Sequence, residues 1–349
     1  METIQTPGQI KSKAYLAFYR WANDWNKFAR DVLKIKLDKE QQEILYAVQT
    51  EKMIAVASGT ARGKDYVAAA AALCFMYLTP RWNREGVLIA NTKVAMTAPT
   101  GRQVENIMYP EIVRMYTKVG FLPGRLVAYD IRTEWEEWFL TGFKADEHHH
   151  EAWSGFHAVN TMFIVTEASG IDDGTYSAIE GNLQSKSKML IVFNPNNMIG
   201  YAAKTMSSPR YKSFRLDDLT APNVTEKRMI FPGQVDYEWV KDKVSAWCVP
   251  IMKDDFNEGK GDFEWEGSFY RPNDLFRVKV RGMFPEVSED VLIPYIWIEL
   301  ANKRWLIEKD KDRKGFRKVG VDVAGMGRDS TVFVHRFENF VIAALQRDM

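Results

Sequence analysis

MIAVASGTARGKD, residues 53–65, and the alanine-rich run YVAAAAALCFMYL that carries it on to Leu78 decide how this chain folds. Residues 53–57 form a short continuous apolar run. That pattern predicts a strand buried on both faces, stopped by a tight loop at Ser58-Gly59. Residues 64–78 contain only residues compatible with a helix. Outward from this unit the same punctuation recurs. Residues 94–98 stop at Pro99, residues 162–166 at Glu167, and residues 189–193 at Asn194-Pro195, with a helical stretch over 101–118. Short buried runs alternating with helices predict an α/β fold whose central sheet is mostly parallel and flanked by helices. Ligands bind beyond the carboxyl ends of such strands. Four loops, at Ser58-Gly59, Pro99-Thr100, Glu167 and Asn194, are therefore expected to face one site.

The flanks follow from periodicity. Residues 11–50 read as helical, with Phe18, Trp21 and Trp25, then Leu37, Gln41, Ile44, Leu45 and Val48, at three- and four-residue spacing;. Residues 126–131 and 136–143 read as hairpin strands, 253–266 as a solvated loop and 277–280 as an edge strand. The expected organisation is an N-terminal helical region (1–50), a main domain (51–285), a linker (286–314) that includes a helix near 297–311, and a last segment (315–349). In that segment, residues 318–324, 331–336 and 340–345 read as strands, too few to bury a core.

Composition narrows the class. The 349 residues carry 47 Lys+Arg against 46 Asp+Glu, a net charge of +1, which argues against a uniformly basic coat and leaves room for a local basic groove;. Two cysteines, Cys74 and Cys248, exclude a disulfide scaffold and fit a reducing compartment;. The longest apolar run, 66–78, is too short to span a bilayer, and residues 1–13 have no secretory pattern;. A soluble cytosolic protein without membrane contact is expected.

Ser58-Gly59-Thr60-Ala61-Arg62-Gly63-Lys64-Asp65 matches the phosphate-loop template G-x-x-x-x-G-K-[ST] in its strand–loop–helix context;. Inward-pointing amides and the helix N-terminus favour phosphate there, and Lys64 would reach the β- and γ-phosphates. Ser58 replaces the first glycine, and Asp65 replaces the Mg²⁺-binding hydroxyl. Met162-Phe163-Ile164-Val165-Thr166-Glu167 resembles a Walker B strand in which Thr166 stands where an Asp is usual and Glu167 keeps the water-orienting carboxylate. The two departures are complementary. Asp65 is expected to supply the carboxylate and Thr166 the hydroxyl at the metal.

With these motifs in place, the chain resembles the large terminase subunit of tailed bacteriophages, the ATP-driven motor that packages DNA. Residues 39–45 (KEQQEIL) look like the adenine-recognising Q motif, with Gln41 its reader. Residues 97–104 (TAPTGRQV) are similar to motif Ia, Phe193-Asn194-Pro195-Asn196 to the coupling motif, and 280–285 (VRGMFP) to the segment closing the ATPase domain. Gly155-Phe156-His157-Ala158 and Ala168-Ser169-Gly170-Ile171 flank the second strand as in that family. Residues 319–325 (VGVDVAG) resemble the opening of an RNase H-like nuclease, with Asp322 its first metal ligand.

The resemblance covers about residues 35–349. It implies an ASCE-type P-loop NTPase followed by the first strands of an RNase H-like domain, with the other nuclease carboxylates missing and no DNA cleavage by this chain alone. It implies ATP and Mg²⁺ as cofactors. Double-stranded DNA, a portal protein and a small terminase subunit are the implied partners, with a homo-oligomeric ring on the procapsid. It places the protein in the host cytoplasm and not in the mature virion. Arg62 resembles the loop arginine that contacts phosphate, Asn194 would relay the nucleotide state, and Arg102, Arg125 and Arg132 are arginine-finger candidates. Lys186, Lys188, Lys204, Arg210, Lys212 and Arg215 are candidate DNA contacts, His148 to His150 a solvated loop, His157 a packed histidine and Cys74 a core residue. A helicase-like DNA translocase and a non-hydrolysing nucleotide-dependent assembly module are the alternatives.

Overall fold

The computed structural model describes residues 17–145, 153, 156–286, 295–311, 315–323, 330–338 and 340–347. After a short turn at Ala17–Trp21 come helices α1 (Trp25–Asp31) and α2 (Lys39–Thr50), strand β1 (Met53–Ser58), helix α3 (Lys64–Leu78) and strand β2 (Thr92–Ala98). The next helix begins as one α-turn at Gly101–Gln103, widens to a π-turn at Val104–Met108 and continues as α4 (Tyr109–Val119). Strands β3 (Arg125–Val127), β4 (Asp130–Arg132), β5 (Trp138–Lys144) and β6 (Asn160–Thr166), helix α5 (Asp173–Gly181), and strands β7 (Lys188–Phe193) and β8 (Lys212–Leu216) complete the main sheet.

Its order is β8-β1-β7-β6-β2-β5-β4-β3. The first six strands are parallel, and β4 and β3 add an antiparallel edge. This is the expected α/β architecture. The central strands β1, β2 and β6 are buried along their whole length, as their continuous apolar runs require;. Helix α3 is buried on all sides from Val67 to Leu78, so the small Ala68 to Ala72 side chains suit its close packing against sheet and neighbouring helices;. Helices α1 and α2 share that core through Trp25, Phe28, Ile44 and Val48. Cys74 lies in it, as expected.

Beyond β8 the sequence reading needs correction. Helix α6 (Tyr237–Trp247) leads into a small antiparallel sheet of β9 (Cys248–Ile251), β10 (Phe263–Trp265) and β11 (Ser268–Pro272), followed by helix α7 (Asp274–Lys279). The stretch expected as an edge strand is thus the end of α7. Asn273 caps it by accepting from the Phe276 N–H, and Phe276 and Val280 bury one face at helical spacing;. The expected loop 253–266 folds as two short 3₁₀ turns and then β10, because buried Asp262 holds Arg271 at 2.7 Å.

The chain divides after Glu286 into two units. The second contains helix α8 (Tyr295–Glu308) and an antiparallel sheet of β12 (Arg317–Asp322), β13 (Thr331–Phe337) and β14 (Phe340–Arg347). Asp322 ends β12, exposed, opposite Val332. Among the described residues no cluster of three metal-ligating side chains occurs, and no helix is long and apolar enough to cross a membrane.

Candidate functional site

Strand register brings the carboxyl ends of β8, β1, β7 and β6 level. Ser58 pairs with Leu216, Ala57 with Phe193 and Thr166 with Val192. The phosphate loop springs from the middle of this row and is pinned from below. The Gly59 and Thr60 N–H groups donate to the Leu216 and Lys279 carbonyls at 2.9 and 2.6 Å. A Cβ on Gly59 would lie 2.6 Å from both Asp218 Oδ1 and the Val280 carbonyl, so only glycine fits. Gly282, at φ +58, packs equally closely on Leu216 and Gly59, which explains the glycine of the VRG segment;. The loop ends at Gly63, φ +86, leaving the first amides of α3 without intrahelical partners;.

Lys64 stands over these amides and joins three loops. Its Nζ lies 2.9 Å from Glu167 Oε1, 3.4 Å from Asp65 Oδ2 and 3.2 Å from Asn194 Oδ1. Burial disfavours the ammonium, but the Asp65 and Glu167 carboxylates outweigh it and raise the pKa of Lys64;. Burial, with the charge of Glu167, raises that of Asp65 against the pull of Lys64. Glu167 sits in left-handed backbone, φ +49, uncommon for a residue with a side chain, and a 3₁₀ turn follows it;. That turn is held by the buried Tyr176 hydroxyl, which donates to the Ala168 carbonyl at 2.7 Å, and by Ser169 Oγ, which donates to the Asn194 carbonyl at 3.2 Å. Asn194 in turn donates from Nδ2 to the Ser58 carbonyl at 2.6 Å. Pro99 abuts Gly170 of the same turn. All four loops singled out by sequence therefore meet.

One oxygen of Asp65, Oδ1, is buried with no hydrogen-bond partner among the described residues. Thr166 is buried beside Glu167, its hydroxyl 3.5 Å from the Thr97 carbonyl. The orphaned carboxylate oxygen of Asp65, at the start of α3, fits Mg²⁺, which takes one or two protein oxygens and completes its shell from phosphate and water;.

Two residues expected at the nucleotide are held by protein partners. Arg62 lines the cavity beside the loop. It is buried, its guanidinium paired with Asp38 and Glu40 and its Nε donating to the Asp217 carbonyl. Gln41 is equally engaged. Its Oε1 accepts from the Asp38 N–H at 3.1 Å, closing a capping box, and its Nε2 donates to the Arg62 and Gly63 carbonyls at 3.3 and 3.4 Å;. Both residues bind α2 to the phosphate loop. Three residues at the site are missed by the sequence reading: Asp38, which receives Arg62, and Asp218 and Gln234, which approach from later loops. Asp38 alone was within reach, as an Asp three residues before a Gln at a helix start.

Other assignments divide. Arg102 and Arg125 are exposed, and Arg132 is held by Asp130 at 2.5 Å. His157 is exposed rather than packed, because the 156–159 segment runs over the surface before β6. Lys188 is no free phosphate contact. Its Nζ donates to the Gln49 and Glu51 carbonyls at 3.0 and 2.6 Å, and burial lowers its pKa to about 8. Lys186 and Lys212 are exposed, whereas Arg210 pairs with Glu180 at 3.1 Å, and Lys204 and Arg215 lie 4.0 Å from Asp173 and Asp217. His148 to His150 and residues 324–329 lie outside the described residues.

No family model matches the chain. It is similar to a probable terminase large subunit of Enterobacteria phage P7, 29% identical over 331 residues, covering 91% of this chain and 59% of that protein. The chain thus spans less than two thirds of the curated relative's length. Among solved structures, the Thermus phage P74-26 large terminase ATPase domain matches with TM-score 0.49 at 15% identity, covering 73% of this chain and 96% of that one. The HK97 bacteriophage large terminase matches with TM-score 0.49 at 13% identity, covering 94% and 65%.

Proposed function

We propose that this chain is the ATP-hydrolysing motor subunit that drives double-stranded viral DNA into a procapsid. The observation that carries this reading is the meeting of Lys64, Glu167 and Asn194, from three separate loops, within 3.2 Å contacts at the N-terminus of α3. The similarity to a phage terminase large subunit supports the cellular role. By that similarity the working partners are the DNA, a portal protein, a small terminase subunit and further copies of this chain in a ring, acting in the host cytoplasm.

The chemistry follows from the side chains. ATP places its β- and γ-phosphates on the amides from Ala61 to Asp65. Lys64 then turns from Glu167 to the phosphate oxygens, where it offsets the charge that spreads over the transferring phosphoryl group. Glu167, released from its ion pair, accepts a proton from the attacking water and aims it at phosphorus. Asn194, bonded to Lys64 on one side and to the Ser58 carbonyl on the other, senses whether Lys64 is engaged. Asp65 and Thr166 would hold Mg²⁺, which supplies further neutralisation of the phosphates when bound.

Mg²⁺-dependent turnover, with and without double-stranded DNA, tests the reading. Glu167→Gln keeps the shape of the site and removes the proton acceptor, so kcat should fall about 10²- to 10⁴-fold with ATP binding retained. Wild type that binds ATP without turning it over would instead favour a nucleotide-dependent assembly module. The role exchange has its own test. The double variant Asp65→Thr with Thr166→Asp should retain more ATPase activity than either single variant. A double variant no better than the worse single would remove the exchange.

A further inference from the structure

The cavity of about 600 Å³ beside the phosphate loop continues past the loop along one face of α4. Glu111, Arg114 and Lys118 line it at spacings of three and four residues, so they form a single stripe of that helix;. At a rise of about 1.5 Å per residue, Lys118 lies about 10 Å farther along the axis than Glu111. Lys34 and Lys36, from the segment between α1 and α2, line the same cavity. The Lys118 ammonium donates to the Lys34 carbonyl at 2.7 Å and so joins the two walls. Lys34 sits in left-handed backbone, φ +55, which a residue with a side chain adopts at a cost;.

Four cations thus share this end of the cavity with one carboxylate. Glu111 is taken up by Arg114, whose Nη1 lies 2.9 and 2.8 Å from its two oxygens, leaving Nε and Nη2 as donors;. Among the described residues no carboxylate pairs with Lys34, Lys36 or Lys118, and the Lys36 ammonium lies 4.6 Å from the Phe231 ring centroid. All four cationic side chains are exposed. The whole chain carries a net charge of only +1, so this excess is local. Like charges gathered at one end of a cavity repel one another, and an anion among them relieves the repulsion. The phosphates on the loop are met by Lys64 and the amides of α3, which leaves these four cations unmatched. Tyr66, one residue beyond Asp65, links the two ends. Burial raises its pKa, Glu111 adds to this and Arg114 opposes it.

We infer that Lys34, Lys36, Arg114 and Lys118 form a second phosphate subsite, separate from the phosphate loop and filled together with it. Its ligand is a phosphate dianion, either carried on the ribose of the bound nucleotide or free beside it, as the orthophosphate that hydrolysis releases. A nucleotide phosphorylated at both the 5′ and the 3′ positions would engage the two subsites at once and displace ATP. This inference rests on the nucleotide reading of the phosphate loop and adds to it a ligand class and a means of regulation.

Calorimetric titration of the full chain with ADP and with adenosine 3′-phosphate 5′-diphosphate tests it, followed by titration of the ADP-saturated chain with orthophosphate. If the second phosphate rides on the ribose, wild type should bind the 3′-phosphorylated nucleotide at least about tenfold more tightly than ADP, the worth of a charge-assisted hydrogen bond. The double variant Arg114→Gln with Lys118→Gln, and separately Lys34→Gln with Lys36→Gln on the opposite wall, should bind the two nucleotides within about twofold of one another. If the ligand is free phosphate, the two nucleotides bind alike, and ADP-saturated wild type takes up orthophosphate that both double variants fail to bind. ADP binding with neither effect overturns the inference and leaves the nucleotide reading standing. A 3′-phosphate preference or an orthophosphate uptake that survives in both double variants overturns it too. Wild type that binds neither nucleotide nor orthophosphate removes both the inference and the nucleotide reading beneath it.

Discussion

Arg62 shows how a residue's position in a motif and its chemistry can part. Its place in the phosphate loop was legible, and its partners were not, because Asp38 and Glu40 lie on another element and only the packing of α2 against the loop brings them within reach. The pair with Asp38 is buried on both sides. Arg62→Ala leaves that carboxylate in the core, a change expected to cost about 3–5 kcal/mol and to lower the melting temperature before it touches catalysis. An unchanged melting temperature would show the clamp to be ornamental. Asp218 gives the clearest pH signature. Neither of its carboxyl oxygens has a hydrogen-bond partner among the described residues. Burial pushes its pKa well above 3.8, and the charge of Asp217 adds to this against Arg62 and Lys64. The folded state therefore holds a proton that the unfolded chain releases near 3.8. Its contribution to stability is full below that value and is lost as pH rises toward the folded pKa. Asp218→Asn should remove this part of the slope and raise the melting temperature at neutral pH relative to wild type. Parallel melting curves of the two proteins across that range would sink the assignment.

At the scale of elements, the turn after β6 is the most demanding piece of the site, because Glu167 occupies left-handed backbone without being glycine. The Tyr176 hydroxyl on α5 holds that turn, and its ring stacks on Tyr201 at 4.1 Å between centroids. Tyr176→Phe keeps the stack and deletes one hydrogen bond, about 1 kcal/mol. The expected result is a several-fold fall in kcat with the KM for ATP unchanged, since the phosphate loop is not touched. A proportional rise in KM would point to general loosening instead. The apolar runs of β1, β2, β6 and β7 announced themselves because a strand buried on both faces must be continuously apolar. The end of α7 did not, because four residues of alternating character suit a strand or one helical turn equally, and the Asn273 cap decides between them;. The π-turn at Val104–Met108 left no mark in the pattern, since a single wide turn alters the period too little to read;.

Across the whole molecule, the main unit is organised around one row of strand ends, and the residues the chemistry needs come from loops that follow β1, β6 and β7. The second unit carries its own antiparallel sheet, in which β12 is exposed along its whole length. The amino-acid sequence by itself determined the α/β class, the parallel core, the phosphate loop and the convergence of Lys64, Glu167 and Asn194, because each of these is written in contiguous residues whose burial or backbone geometry restricts the choice. Only the tertiary structure decided what those residues touch. It turned Arg62 and Gln41 inward to hold the loop, set Asp218 beneath Gly59, and brought Gln234 from beyond the sheet to the wall of the cavity. The physical reason is that hydrogen bonds and ion pairs are short-ranged. A side chain's partners are settled by which surfaces pack together, and that is a property of the folded chain rather than of any stretch of it.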